Sequence, residues 1–260
     1  MKFVIPTSVM RVMLATAIAA SLPACSDAAP TQGASAREAS ATASVEANTV
    51  TGRVTDAAGN PIAGVEVFAD HTLLYDANLL ARTDADGYYR IDLGAVSPSS
   101  WTVGAYLTRD FHGTKYEMRL HPENPDPFTG HDGAVRNLHW LLTGEDGNGG
   151  ALGAQGYVYQ EGGFVEPNEL RIDLTPIELI DGTRGGETVT RIPVGSTLYD
   201  VAIGRYTVVV RHESPDGRVT VLPVRERFGG DFADSIETSG RGSRDGNYLL
   251  ELEVQAPPME

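Results

Sequence analysis

From Thr49 onward the chain is written in short runs of Val, Ile, Tyr and Thr, each cut off by Gly, Pro, Asn or Asp. β-Branched and aromatic residues fit a pleated, half-buried surface, and the interrupting residues supply tight turns. No run is followed by an apolar repeat of helical period, so neither a helical bundle nor a strand–helix–strand fold fits. The spacing predicts strands over 49–55, 64–69, 79–83, 88–93, 101–108, 115–120 and 134–142. After a glycine-rich interval it predicts more, over 157–160, 169–176, 187–192, 205–212, 219–224 and 247–254. Regular short strands with turns between them argue for an all-β, antiparallel β-sandwich, followed by a second, smaller β-sandwich-like domain. Ser214-Pro215-Asp216-Gly217 reads as a hairpin turn, and 229–246 as a long polar loop.

Composition narrows the function classes. Acidic residues outnumber basic ones 35 to 20, a net charge of −15, which excludes a nucleic-acid partner because phosphate needs a positive surface. One cysteine excludes an intrachain disulfide framework and any multi-cysteine metal site. Hydrophobic residues make up 41% of the chain, as expected of a folded globular body.

Residues 1–48 differ from the rest. Lys2 and Arg11 precede an apolar stretch from Val12 to Ala20, too short to span a bilayer but of signal-peptide length. It ends in Leu22-Pro23-Ala24-Cys25, with the sole cysteine at the end. This resembles the lipobox of bacterial lipoproteins, although Pro23 is not the preferred residue there. The resemblance implies cleavage before Cys25 and attachment of acyl chains, palmitate among them, to Cys25. Several chains give the durable anchoring that one cannot. Ser26 in place of Asp implies the outer membrane, with the body facing the periplasm or the surface. The other reading is an ordinary secretory signal cut near Ala24 or Ala28, leaving Cys25 an incidental thiol. Removal of 1–24 leaves 18 basic and 35 acidic residues, a net −17, so lipid rather than charge must hold the body to a membrane. Residues 25–48 are small and polar and read as a lipidated cysteine and flexible linker. A short Ala-rich helix over 34–45 is the alternative.

Within the first strands lies a second resemblance. Val50-Thr51-Gly52-Arg53-Val54-Thr55-Asp56 leads into Ala57-Ala58-Gly59-Asn60-Pro61-Ile62-Ala63-Gly64 and then Val65-Glu66-Val67. Thr83-Asp84-Ala85-Asp86-Gly87-Tyr88-Tyr89 follows. The pattern is similar to the carboxypeptidase regulatory-like domain, a prealbumin (transthyretin-like) sandwich of about seven strands allied to carbohydrate-binding-like folds. The motifs cover 49–93, and topology extends the domain to 143. The resemblance implies an accessory module without catalytic residues. Residues 144–156 read as a Gly-rich hinge and 157–256 as the second β-rich domain. There Ile203-Gly204-Arg205-Tyr206-Thr207-Val208 resembles a strand of collagen-adhesin B-type repeats.

Asp84-x-Asp86-Gly87 reads as a turn rather than a calcium loop, which needs more ligands and a distal Glu. The stiff segment 121–133, with three prolines, joins two strands and is the candidate binding loop. Tyr116, Phe128 and Trp140 are the rings that would stack on a sugar. Asn124, Asp126, His131 and Asp132 would contact its polar groups. The bland reading packs Phe128 and Trp140 on the core. His121, His131 and His139 match no metal-ligand spacing, so no metal or cofactor is expected. His71, Tyr75 and Asp76 read as a surface connection, and Arg218, Arg225 and Arg227 as a solvated, ion-paired face. No nucleophile elbow, HExxH, P-loop, GxGxxG or CxxC is present.

Three functions follow in order. The first is a lipid-anchored cell-envelope protein whose non-catalytic β-sandwich modules serve a structural or protein-binding role, its partners being the membrane and an envelope protein or glycan. The second is a carbohydrate-binding lipoprotein using aromatic residues around the 121–140 loop, which needs exposed coplanar rings among Trp101, Tyr106, Tyr116, Phe128 and Trp140. The third is an envelope hydrolase, which needs a cleft holding a perturbed carboxylate or histidine.

Overall fold

The computed structural model describes residues 45–95, 99–147, 149–242 and 247–258, which belong to one compact unit. The signal sequence, Cys25 and the linker to Ser44 lie outside the described residues. No helix among the described residues is long and apolar enough to cross a membrane.

The first half contains β1 (Thr49–Asp56), β2 (Glu66–His71), β3 (Asn78–Arg82), β4 (Tyr88–Asp92), β5 (Ser100–Phe111) and β6 (Thr114–Pro122). Three short strands follow: β7 (Phe128–Thr129), β8 (Ala134–Val135) and β9 (Leu138–Trp140). They form one sheet in the order β3-β2-β5-β6-β9-β1-β4, with β7 on β5 and β8 on β1. The edge strands β3 and β4 meet, so the sheet curls round its own core. Alternation places that core: Val50 and Val54 of β1, Val67 and Ala69 of β2, and Leu120 of β6 are buried, with Thr51 and Arg53, Phe68 and Arg119 between or beside them more exposed. The registers Thr49↔Asp92 and His71↔Trp101, with Asn48 N–H bonded to Gly130 O, bring the starts of β1 and β5 and the end of β2 to one end of this sandwich.

The second half contains β10 (Ala154–Glu161), β11 (Leu170–Leu179), β12 (Val189–Arg191), β13 (Thr197–Val201), β14 (Gly204–Glu213) and β15 (Val219–Leu222). It continues with β16 (Val224–Glu226), β17 (Ile236–Thr238), β18 (Arg241–Gly242) and β19 (Tyr248–Gln255). Two five-stranded sheets result. One runs β13-β10-β19-β16 with β18 on β19, and the other β12-β11-β14-β15 with β17 on β14. Leu198, Leu250, Leu252 and Val254 from the first sheet and Leu170, Ile172, Val208 and Val210 from the second are buried.

Several details depart from the sequence reading. The strand expected over 134–142 is two strands, because Asn137 turns its side chain toward β1 and its Oδ1 accepts the Arg53 N–H at 3.1 Å. The strand expected over 219–224 breaks at Pro223, which has no N–H to give; β15 joins one sheet and β16 the other. The stretch 229–246, read as loop, contains β17 and β18. Pairing is mostly antiparallel, but β1 runs parallel to β8 and β9, and β10 parallel to β19. The last residues of the expected hinge belong to β10, which starts at Ala154.

The two halves meet at the far end of the β5–β6 hairpin. Tyr116 and Tyr248 make an edge-to-face pair with centroids 6.0 Å apart. His112 Nε2 lies 3.5 Å from a Glu178 carboxylate oxygen, and a Cβ on Gly242 would meet the Thr114 methyl at 2.6 Å. The Gly-rich segment is docked rather than hanging. Asp200 Oδ1 accepts N–H groups from Gly144 at 2.8 Å and Gly153 at 3.1 Å, while Arg191 donates to its other oxygen at 3.0 Å.

Candidate functional site

The structure divides the sequence-selected residues between two places. At the chain-entering end lies the 121–133 loop. Asn124 Oδ1 accepts the Asp126 N–H at 2.9 Å, closing a turn on itself. Arg136 straps the loop down. It donates to Asp126 O at 3.2 Å. Its guanidinium lies 4.9 Å from the Phe128 ring centroid, within reach of a cation–π contact. Phe128 is half-buried, pairing with Trp101 through β7 and β5. His131 and Asp132 are exposed in a short 3₁₀ turn.

Tyr116 and Trp140 belong elsewhere. Tyr116 is 3% exposed and occupied by Tyr248; burial raises its phenol pKa. Trp140 is 6% exposed and capped by Arg109 at 5.5 Å. Trp101 is also buried, against the edge of His71 at 4.6 Å. These three rings turn no face to solvent, because each shares its strand's core side with an aliphatic neighbour, as Trp140 does with Leu138.

His121 and His139 are cross-strand partners on β6 and β9, but His131 is in the 3₁₀ turn away from both. No cluster of three or more His, Cys, Asp or Glu suited to a metal is found among the described residues. Asp84 Oδ1 instead accepts the N–H groups of Asp86 at 3.0 Å and Tyr88 at 2.8 Å, as a turn requires.

The cluster that sequence reasoning missed surrounds His139. Its Nδ1 lies 3.0 Å from Thr55 Oγ1 and its Nε2 2.7 Å from Glu123 Oε1. Asn137 Nδ2 donates to the other Glu123 oxygen at 3.1 Å. The bond from His139, then that from Asn137, holds the Glu123 carboxyl below the usual carboxylate value. A hydroxyl, an imidazole and a carboxylate in line have the connectivity of a nucleophile, base and orienter. Thr55, however, is buried in β1 and bridged to Pro61, so the line clasps β1, β9 and the 123 corner together. Only the cross-strand register exposes this grouping; nothing local in the sequence joins 55, 123 and 139.

Beside it runs an open groove. A cavity of about 690 Å³ and one of about 550 Å³ share Arg119, His121, Leu141, Asp146 and Leu152. Burial, then the nearby Arg119 charge, lowers the His121 pKa, and Asp146 opposes this. The size suits a small polar ligand or a peptide side chain.

The model of the carboxypeptidase regulatory-like domain family matches residues 49–119, and this part of the chain is such a domain. Among curated proteins nothing matches. Among solved structures, the TIE protein of Bacillus anthracis is similar over 80% of this chain and 34% of its own, with 10% identity and a TM-score of 0.30. The pilus adhesin SpaC of Lactobacillus rhamnosus GG, in its open conformation, is similar over 82% of this chain and 29% of its own, with 11% identity and a TM-score of 0.27. Two B repeat units of the Staphylococcus aureus collagen binding protein match over 82% of this chain and 50% of their own, with 13% identity and a TM-score of 0.23. The chain thus spans about a third of the length of the first two.

Proposed function

We propose that the chain is a lipid-anchored component of the bacterial cell envelope, held in the outer membrane by acyl chains on Cys25, whose β-sandwich modules play a structural or protein-binding part. One observation carries the scaffold reading: the side chains best equipped for chemistry are engaged with one another. His139 sits between Thr55 and Glu123, Asp173 takes a two-pronged bond from Arg211 at 2.6 and 2.9 Å, and Asp200 ties the Gly-rich segment to Arg191. Such groups stiffen a framework. The regulatory-like module at 49–119 agrees with an accessory role. The lipobox residues Leu22-Pro23-Ala24-Cys25 support the anchor. The groove at Arg119 and His121 is the surface we assign to a protein partner. A sugar-binding part is less well supported, since burial of Trp101, Tyr116 and Trp140 leaves Tyr106 as the exposed ring of the five considered.

The test is a pull-down of the native protein from detergent-solubilised envelope. A stoichiometric protein partner, lost on Arg119→Glu, is the expected result. Absence of any partner together with saturable binding on a glycan array would overturn the protein-binding role.

A further inference from the structure

Three consecutive large apolar residues stand exposed at the tip of the β2–β3 connection. Leu73 is 65% exposed, Leu74 56% and Tyr75 fully so. Scattered apolar residues on a surface need no explanation, but three in succession at one loop tip ask for one. The tip has a fixed base. His71 Nδ1 accepts the Leu73 N–H at 3.2 Å, Leu74 N–H bonds back to His71 O at 3.2 Å, and Thr72 N–H bonds to Ser100 O at 2.8 Å. His71 is itself buried against Trp101.

The position of this tip indicates its occupant. Asn48 N–H bonds to Gly130 O at 3.0 Å, and Gly130 N–H to Ser99 O at 3.3 Å. Ser100, next in the chain, receives Thr72. Three backbone bonds therefore connect the residue where the chain enters the sandwich with the base of the apolar tip. Cys25 precedes Val45 by a stretch of small and polar residues. The end of the sandwich that carries Leu73, Leu74 and Tyr75 is the end at which the chain arrives from Cys25. The net charge of −17 left after removal of 1–24 provides no electrostatic pull toward an anionic bilayer, so any second contact must be apolar. Leucine and tyrosine suit the interfacial layer, where an apolar body is buried and a phenol stays wet.

We propose that Leu73, Leu74 and Tyr75 insert into the interfacial layer of the bilayer and seat the chain-entering end of the first sandwich on the membrane. This inference rests on the lipid anchor proposed above. The second half, joined at the opposite end of the β5–β6 hairpin, is then held away from the bilayer.

Leu74→Cys supplies a thiol for an environment-sensitive fluorophore; Cys25 is the sole native cysteine. The full chain, purified from membranes and labelled, is reconstituted in phosphatidylcholine vesicles, and its N-terminal peptide is weighed by mass spectrometry. The expected result is a blue-shifted emission quenched by spin-labelled lipid. The shift should weaken in phosphatidylglycerol vesicles and fall about tenfold in amplitude with Leu73→Asp and Tyr75→Asp. A label at Val219→Cys, on the second half, should stay water-like. A water-like label at position 74 on acylated protein overturns the insertion while leaving the anchor standing. A shift that depends on protein concentration without vesicles assigns the tip to a second copy and also overturns it. Should Cys25 carry no acyl chain, the anchor reading fails separately, and the label is then read in the Leu74→Cys protein with Cys25→Ser, so that no second thiol takes the dye. A label that still shifts with added vesicles then upholds the insertion, and one that does not overturns it.

Discussion

At Gly52 a Cβ would overlap the carbonyl oxygen of Arg136 and crowd the Tyr89 ring, whose hydroxyl donates to that same oxygen at 2.6 Å. The glycine of the motif is there because β1, β4 and the 136 corner close over one point. Gly52→Ala should cost about 2–4 kcal/mol, read from a urea titration, since the clash is with backbone and not with a yielding side chain. Glu123 acts through charge instead of space. Its folded pKa is depressed by His139 and Asn137, so its contribution is present above the ordinary carboxylate value of 4.5 and is lost as pH falls below it. Glu123→Gln should therefore be less stable than the parent at neutral pH, and the gap should close as pH falls below 4.5. A gap that widens with acid would contradict the clasp.

At the level of elements, β11 and β14 are held by more than their ladder. Arg211 grips Asp173 from the neighbouring strand and Thr190 adds a bond at 2.6 Å from β12. Arg211 is the largest cause of the lowered Asp173 pKa. Asp173→Asn should lower stability by about 1–2 kcal/mol at pH 7 and remove part of the acid-induced loss below about pH 4. Thermal melts across pH test this. Much of the strand pattern is legible in the sequence, because period-two burial on β1, β2, β4, β14 and β19 follows the alternation of their residues. What cannot be read there is the pairing. Gln155 lies parallel to Leu249 across most of the second half, and no local signal names so distant a partner. β17 and β18 give no signal of their own because each is short and polar, made by the strand it borders rather than by its own propensity. The same limit hides the Thr55–His139–Glu123 line. The burial of Trp140, by contrast, is readable from Leu138-His139-Trp140, where alternation places both apolar residues on one side.

On the scale of the whole molecule, a small aromatic seam joins the halves. Tyr248 Oη donates to Gly204 O at 2.8 Å and its ring meets Tyr116 edge-on. Tyr116→Ala should lower the calorimetric midpoint by about 5–10 °C, because the single buried cluster that runs through both halves then loses the ring at their seam. In the proposed arrangement the acyl chains, the chain-entering end and the apolar Leu73–Leu74–Tyr75 tip share one side, with the Arg119–His121 groove and the second half beyond. All of this depends on Cys25 being the first residue of the mature chain. Mass spectrometry of the N-terminal peptide from native envelope tests it most directly. The expected peptide begins at Cys25 and bears two or three acyl chains. A mature chain starting elsewhere, or a free Cys25 thiol in a soluble protein, would contradict the anchor and the arrangement built on it.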